Sequence, residues 1–309
     1  MPGVVSTRKS PMSISQIREF LDEIAARDKI QPMVLGYYSA MLVIAVGVGA
    51  GPDDKGVLAD SPSVHLKHIK RIVIDPGHGG SNYGCLGVDG TYEKTVVLQI
   101  AERVERILLS ETDGTPLLTR RGDTPLGLGE RSGLANAWNG DIFLSLHLNA
   151  DAYGSGFGVE TWFLGADTAD AQAKKLVAQE EARYEHEGED KGHSDDMVEK
   201  ILRDASLRKA QADSEILAID IAQGLQRSTK RKLRGVKQAP FGVLKGARMP
   251  AIVVEAGFFT HAKEGWKLLE PEQQEKIARG IVNGIIAYDK RIGGEGRTIS
   301  ATAAAGSGI

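Results

Sequence analysis

Arg71-Ile72-Val73-Ile74-Asp75-Pro76-Gly77-His78-Gly79-Gly80 is the stretch on which the reading of the chain turns. Its first half is β-branched and ends in Pro-Gly, which reads as a buried strand feeding a glycine loop. Working outward, Glu93 to Leu109 places Val96, Val97, Ile100, Val104, Ile107 and Leu108 at helical spacing, so an amphipathic helix follows. Pro116 to Thr119 reads as a short strand and Leu128 to Trp138 as a helix. Asp141 to Leu148, Gly158 to Leu164 and Pro250 to Glu255 read as further strands. Pro271 to Tyr288 is a helix with proline near its start. Strands alternating with helices predict an α/β fold, a single twisted, mostly parallel sheet with helices on both faces.

Three groups with chemistry fall at strand ends. His78 stands at the mouth of the glycine loop, where it has little packing value and where glycines leave room for a ligand. His147, in Ser145-Leu146-His147-Leu148-Asn149, ends a second buried strand. Glu255, in Val253-Val254-Glu255-Ala256-Gly257, follows a continuous apolar run, where a carboxylate is expensive to bury without a partner or a metal nearby. Open α/β sheets collect ligands at the carboxyl ends of their strands, so the three are expected to converge. Glu93, opening the first long helix, completes the set. Two imidazoles and a carboxylate make a three-ligand zinc site with a fourth position open to water, and Glu255 is then placed to move that water's proton. Each residue has a bland alternative: a satisfied strand-end histidine, a helix N-terminal carboxylate, a salt-bridged glutamate.

Composition narrows the options. The chain has 309 residues, a formal net charge of −3 and a single cysteine, Cys85. Disulfides within the chain and multi-cysteine zinc sites are excluded, and no global basic field recruits nucleic acid. The short basic run Lys230-Arg231-Lys232-Leu233-Arg234 reads as a solvated helix end. From Pro32 to Gly51 the chain carries no charge and is about the ~20 residues needed to span a bilayer. Arg18, Arg27 and Lys29 precede it, the pattern of a signal peptide or anchor; the alternative is a buried core helix. Residues 178–200 are strongly acidic, and Gly293 to Ile309 are low-complexity, expected to form a tail without fixed structure.

At these motifs the sequence resembles the zinc-dependent N-acetylmuramoyl-L-alanine amidases of the cell-wall hydrolase type. The resemblance is carried by IVIDPGHGG at 72–80, YEK at 92–94, LLTRRGD at 117–123, LGERSGLANAWNGDIFLSLHLNA at 128–150, GVETWFL at 158–164 and FGVLKGARMPAIVVEAGFFT at 241–260. It implies zinc on His78, Glu93 and His147, Glu255 as the catalytic glutamate, and peptidoglycan as substrate, cut between N-acetylmuramic acid and L-alanine. Leu148 and Thr260-His261 depart from the family pattern, where a small residue and Ser-Asn are common. The division-associated members are similar in carrying a helical insert at this place that blocks the zinc with a glutamate until a LytM-domain-type activator displaces it. By that likeness Glu180 is the first candidate for the blocking group and Glu181 the second; the alternative is a solvated acidic helix. The expected organisation is a leader with a hydrophobic segment and linker at 1–64, a catalytic domain at 65–292 with a helical acidic insertion at 165–214, and the tail at 293–309. Export to the periplasm or cell envelope is expected, with membrane contact through the N-terminal segment. A zinc carboxypeptidase on a related scaffold and a wall-binding module that has lost catalysis are the competing functions; the complete ligand set argues against the second.

Overall fold

The computed structural model describes residues 64–165, 171–181 and 197–294, with no account of the side chains of 172 and 197–207. All belong to the compact unit Ser61–Ile309. The hydrophobic segment at 32–51, the centre of the acidic stretch and the tail from 295 onward lie outside the described residues. Among the described residues, no helix is long and apolar enough to cross a membrane.

The elements follow in the order β1 (Arg71–Pro76), α1 (Glu93–Glu111), β2 (Thr115–Leu118), α2 (Leu128–Ala137), β3 (Ile142–Asn149), β4 (Val159–Leu164), α3 (Ala171–Glu181), α4 (Met197–Thr229), β5 (Leu233–Ala239), a 3-10 turn (Gly242–Leu244), β6 (Ala251–Phe258), α5 (Glu264–Leu269) and α6 (Pro271–Ile292). The strands form one six-stranded sheet in the order β2-β1-β3-β6-β4-β5. β2, β1, β3 and β6 run parallel, β4 and β5 run parallel to each other, and the two blocks meet at an antiparallel seam between β4 and β6. The central strands β3 and β6 are buried along their whole length, as near-continuous apolar runs require.

Both faces of the sheet are covered. On one, Ile72, Ile74, Leu144, Leu146, Ile252 and Val254 pack under α1, α4 and α6. There α4 and α6 approach so closely that a Cβ on Gly224 would stand 2.2 Å from the carbonyl oxygen of Gly280, so only glycine fits. On the other face Val73, Phe143, Trp162 and Val253 pack against Ala135 of α2, Ala173, Leu176 and Val177 of α3, and Phe241 and Leu244 around the 3-10 turn.

The basic run at 230–234 differs from its sequence reading. α4 ends at Thr229, Lys230 turns the chain at φ 58°, and Leu233 already opens β5. That strand, Leu-Arg-Gly-Val-Lys-Gln-Ala, lies at the sheet edge and is only half-buried. Edge strands carry charge to discourage pairing with other chains, so this one shows no apolar alternation to read.

Candidate metal centre

The path of the chain after β1 delivers His78. Gly77 lies against His147 so tightly that a Cβ there would be 2.4 Å from the imidazole Cε1. His78, Gly79 and Gly80 then take φ values of 62°, 124° and 58°. For histidine this left-handed conformation is strained by about 1–2 kcal/mol and persists only when its surroundings fix it. The His78 ring is held by Asn82, whose Oδ1 lies 2.9 Å from Nδ1. With Nδ1–H donating to that oxygen, Nε2 is left as the ligand-type atom.

His147 comes from the end of β3 and Glu93 from the first turn of α1. Glu93 Oε1 lies 2.9 Å from His78 Nε2 and 3.3 Å from His147 Nδ1. Its carboxylate also accepts from the backbone N–H of Leu148 at Oε1 and of Cys85 at Oε2, both at 2.9 Å. Glu255 sits directly opposite His147 in the β3–β6 register and opposite Glu160 in the β6–β4 register. The antiparallel seam therefore lines up His147, Glu255 and Glu160 across three strands. Glu160 is neutralised by Arg234 Nε at 3.0 Å and Lys237 Nζ at 2.9 Å, and Asn149 Nδ2 donates to it at 2.6 Å. Glu255 is fully buried, and neither of its oxygens has a hydrogen-bond partner.

Glu180, on the last turn of α3, reaches the same point. Its Oε2 lies 3.5 Å from His78 Nε2 and 3.2 Å from His147 Nδ1, and the ligand atoms of these three residues all fall within 4.8 Å of one another. Glu181 turns away: its Oε1 accepts from the N–H of Gly242 at 2.8 Å, with Lys245 Nζ at 3.9 Å. Beneath α3 the remaining cavity is about 10 Å³, bounded by Asp75, Arg131, His147 and Glu180 among others. That is room for roughly one water and for no substrate.

The electrostatics ask for a cation. His78 Nε2, His147 Nδ1, Glu180 Oε2 and both Glu255 oxygens are buried without a hydrogen-bond partner. Burial pushes the Glu255 carboxyl well above the usual carboxylate range. Burial opposes ionisation of Glu93 as well, but the facing His78 and His147 outweigh it and hold Glu93 low. For His147 burial is likewise outweighed, by Glu180 and Glu93, and its pKa is raised. Three carboxylates around two imidazoles in a dry site are costly unless a positive charge joins them. The imidazole and carboxylate donors suit zinc.

All four residues singled out at the strand ends and at the start of α1 thus meet at one place, together with Glu180. The supporting groups Asp75, Asn82, Arg120 and Arg131 were not legible beforehand: an arginine on a helix or loop carries the same local signal whether it is solvated or buried.

Comparison with known proteins identifies the family. Residues 72–287 match the family model for N-acetylmuramoyl-L-alanine amidase. The chain is 34% identical to N-acetylmuramoyl-L-alanine amidase AmiA of Salmonella typhimurium, over 74% of this chain and 79% of that one. Among solved structures, an N-acetylmuramoyl-L-alanine amidase from Clostridium difficile 630 aligns with a TM-score of 0.55 at 28% identity, covering 72% of this chain and 97% of its own. The CwlD amidase from Clostridioides difficile, solved in complex with the GerS lipoprotein, aligns with a TM-score of 0.53 at 26% identity, covering 71% and 98%.

Proposed function

The chain belongs to the N-acetylmuramoyl-L-alanine amidase family, and from that premise we propose that it is a zinc enzyme with His78, Glu93 and His147 as ligands, Glu255 as acid–base and Glu180 as a built-in inhibitor. As a member of the family it hydrolyses the amide bond between N-acetylmuramic acid and L-alanine in peptidoglycan. The observation that carries the zinc reading is the convergence of buried, unpartnered His78 Nε2 and His147 Nδ1 on Glu93 Oε1 beside Glu255.

Zinc held by His78, Glu93 and His147 would supply Lewis acidity, of the kind that lowers the pKa of water to about 7 and polarises a carbonyl. The rest is the protein's own work. Asn82 fixes the tautomer of His78, and Glu93 is oriented by the Leu148 and Cys85 amides. Glu255 takes the proton of the attacking water on its carboxylate and returns it to the nitrogen of the departing L-alanine. Burial raises its carboxyl above the usual carboxylate range, which favours the protonated form it passes through.

Glu180 lies within reach of both imidazoles in a site without room for substrate, and this supports autoinhibition. A carboxylate tethered on α3 acts at high effective concentration, so even a weak contact keeps the site closed. An activator of the LytM-domain type that binds displaced α3 shifts the population toward the open form by its preference for that form. Such control fits wall cleavage at cell division. The organisation that goes with this function is an exported leader at 1–64 bearing the hydrophobic segment, a catalytic domain at 65–292 with a regulatory insertion at 165–214, and a tail at 293–309. The protein then works in the periplasm or cell envelope.

Metal analysis with mass identification of products tests the core of the reading. Wild type should carry one zinc per chain and release L-alanine-headed peptides from purified peptidoglycan. His147→Ala should lose most of the metal. Full zinc occupancy in that variant removes the ligand assignment.

A further inference from the structure

We propose that Arg120 and Arg131 are positioning residues for the metal: as a pair they hold the chain at Pro76-Gly77-His78 in the path that aims the His78 ring into the cage. The inference rests on the zinc reading above.

Where β1 runs out into a loop with three successive left-handed residues, the carbonyls of Pro76, Gly77 and His78 leave the sheet ladder and need donors from elsewhere. Here two buried guanidiniums provide them. Pro76 O accepts from Arg120 Nε at 2.9 Å and from Arg131 Nη1 at 3.0 Å. Gly77 O accepts from Arg120 Nη2 at 2.7 Å, and His78 O accepts from Arg131 Nη2 at 2.7 Å. Every carbonyl from the end of β1 to the ligand itself is therefore taken. The two side chains come from different places, Arg120 from the segment after β2 and Arg131 from α2.

The clamp is itself braced. Arg131 Nη1 donates to Asp75 Oδ1 at 2.8 Å, and Asp75 also accepts from Thr119 Oγ1 at 2.5 Å and Ser145 Oγ at 2.7 Å. This ties β1, the end of β2 and β3 into one rigid unit behind the ligand. Arg120 reaches on to the carbonyls of Lys94 and Gly122, so the helix that carries Glu93 is fastened to the same point. Gly77 leaves no slack against His147. A shift of the loop would therefore disturb both imidazoles at once. A planar fork with donors in several directions is what such a clamp needs, and an ammonium cannot reproduce it.

The test uses the full chain. Arg131→Lys keeps a charge opposite Asp75 but presents its donors from one point, so it cannot serve Asp75, Pro76 O and His78 O together. Zinc affinity is measured by chelator competition, the ligand field by the visible spectrum of the cobalt-substituted protein, and stability by thermal unfolding of the apo chain. Leu225→Ala, in the packed contact of α4 with α6, is the control for general destabilisation. Arg131→Lys should weaken zinc binding by about 10–100-fold, the usual effect of removing an outer support, and should alter the cobalt spectrum. The control should melt earlier with affinity and spectrum unchanged. If Arg131→Lys does not fold, Arg120→Lys gives the same readout. Folded variants with the wild-type cobalt spectrum, and zinc affinity weakened less than about tenfold, overturn the positioning role while leaving the zinc reading intact. A wild-type chain that binds no zinc overturns both.

Discussion

Glu255 is held ready rather than held still. It lies between His147 and Glu160 in register, fully buried, and nothing donates to either oxygen. A carboxyl kept that way for structure alone would be destabilising, and the proton-handling role proposed for it accounts for its position. Glu255→Gln preserves shape but cannot accept a proton. It should retain zinc and lose about 10²–10⁴-fold in hydrolysis of peptidoglycan, and a loss under tenfold in a zinc-loaded variant would take Glu255 out of the mechanism. Asp75 presents the opposite case. Burial pushes its carboxyl up, yet Arg131, Thr119 and Ser145 outweigh burial and hold it below the usual range. A carboxylate with a depressed folded pKa contributes stability that is complete above the unfolded value of about 4 and is lost as pH falls through the folded value. Asp75→Asn leaves Arg131 without this buried partner and should lose roughly 3–5 kcal/mol at pH 7. The difference from wild type should then narrow below pH 4. Unfolding of the metal-free proteins by circular dichroism between pH 7 and pH 2 checks this, and a gap that stays constant to pH 2 would deny Asp75 the role.

α3 is the element whose character depends most on tertiary context. Its sequence sits beside a strongly acidic stretch that offers few core candidates, yet Ala173, Leu176 and Val177 are buried against the sheet face that carries Trp162. Docking that apolar side is what brings Glu180 to the two imidazoles. Placing charge in the contact should undock the helix, so the Leu176→Asp and Val177→Asp double variant should hydrolyse peptidoglycan about tenfold faster than wild type without a partner, as expected when a mostly closed population opens. A folded, zinc-loaded variant no faster than wild type would mean that α3 is a packing element only. The same helix shows where sequence reading stops. β1, β3 and β6 were legible because buried parallel strands write continuous apolar runs, and α1 because its apolar residues keep helical spacing. His78, His147 and Glu255 stood out because a histidine or carboxylate at the end of such a run has no packing purpose, and Glu93 because it opens the first long helix, a loop away from His78. β5 was not, since an edge strand of Arg, Gly, Lys and Gln has neither pattern. The antiparallel seam of β4 against β6 was not, because strand order is decided by pairing between segments far apart in sequence. Arg120 and Arg131 were not, because their burial follows from the loop they clamp.

At the scale of the whole molecule the activity and its location must agree. Peptidoglycan lies outside the cytoplasmic membrane, and a hydrolase with that substrate is useful only where the substrate is. The proposed means of getting there is the segment at 32–51. Residues 32–51 hold no charged side chain, and Arg18, Arg27 and Lys29 lie on the N-terminal side. An uncharged run of ~20 residues with basic residues before it is what export machinery reads, with the basic end retained in the cytoplasm. The catalytic unit is independent of oxidising conditions, since its single cysteine, Cys85, forms no disulfide within the chain. Folding therefore needs no disulfide, only the packing of one sheet between its helices. Residues 1–60 fused to a reporter enzyme that is active only outside the cytoplasm should give an active reporter. Replacing Val43 and Val46 by aspartate should silence it, because each charge at the centre of a membrane segment costs about 3 kcal/mol of insertion. An inactive reporter with the native segment would place the enzyme apart from its wall substrate, and export would then have to depend on something other than these residues.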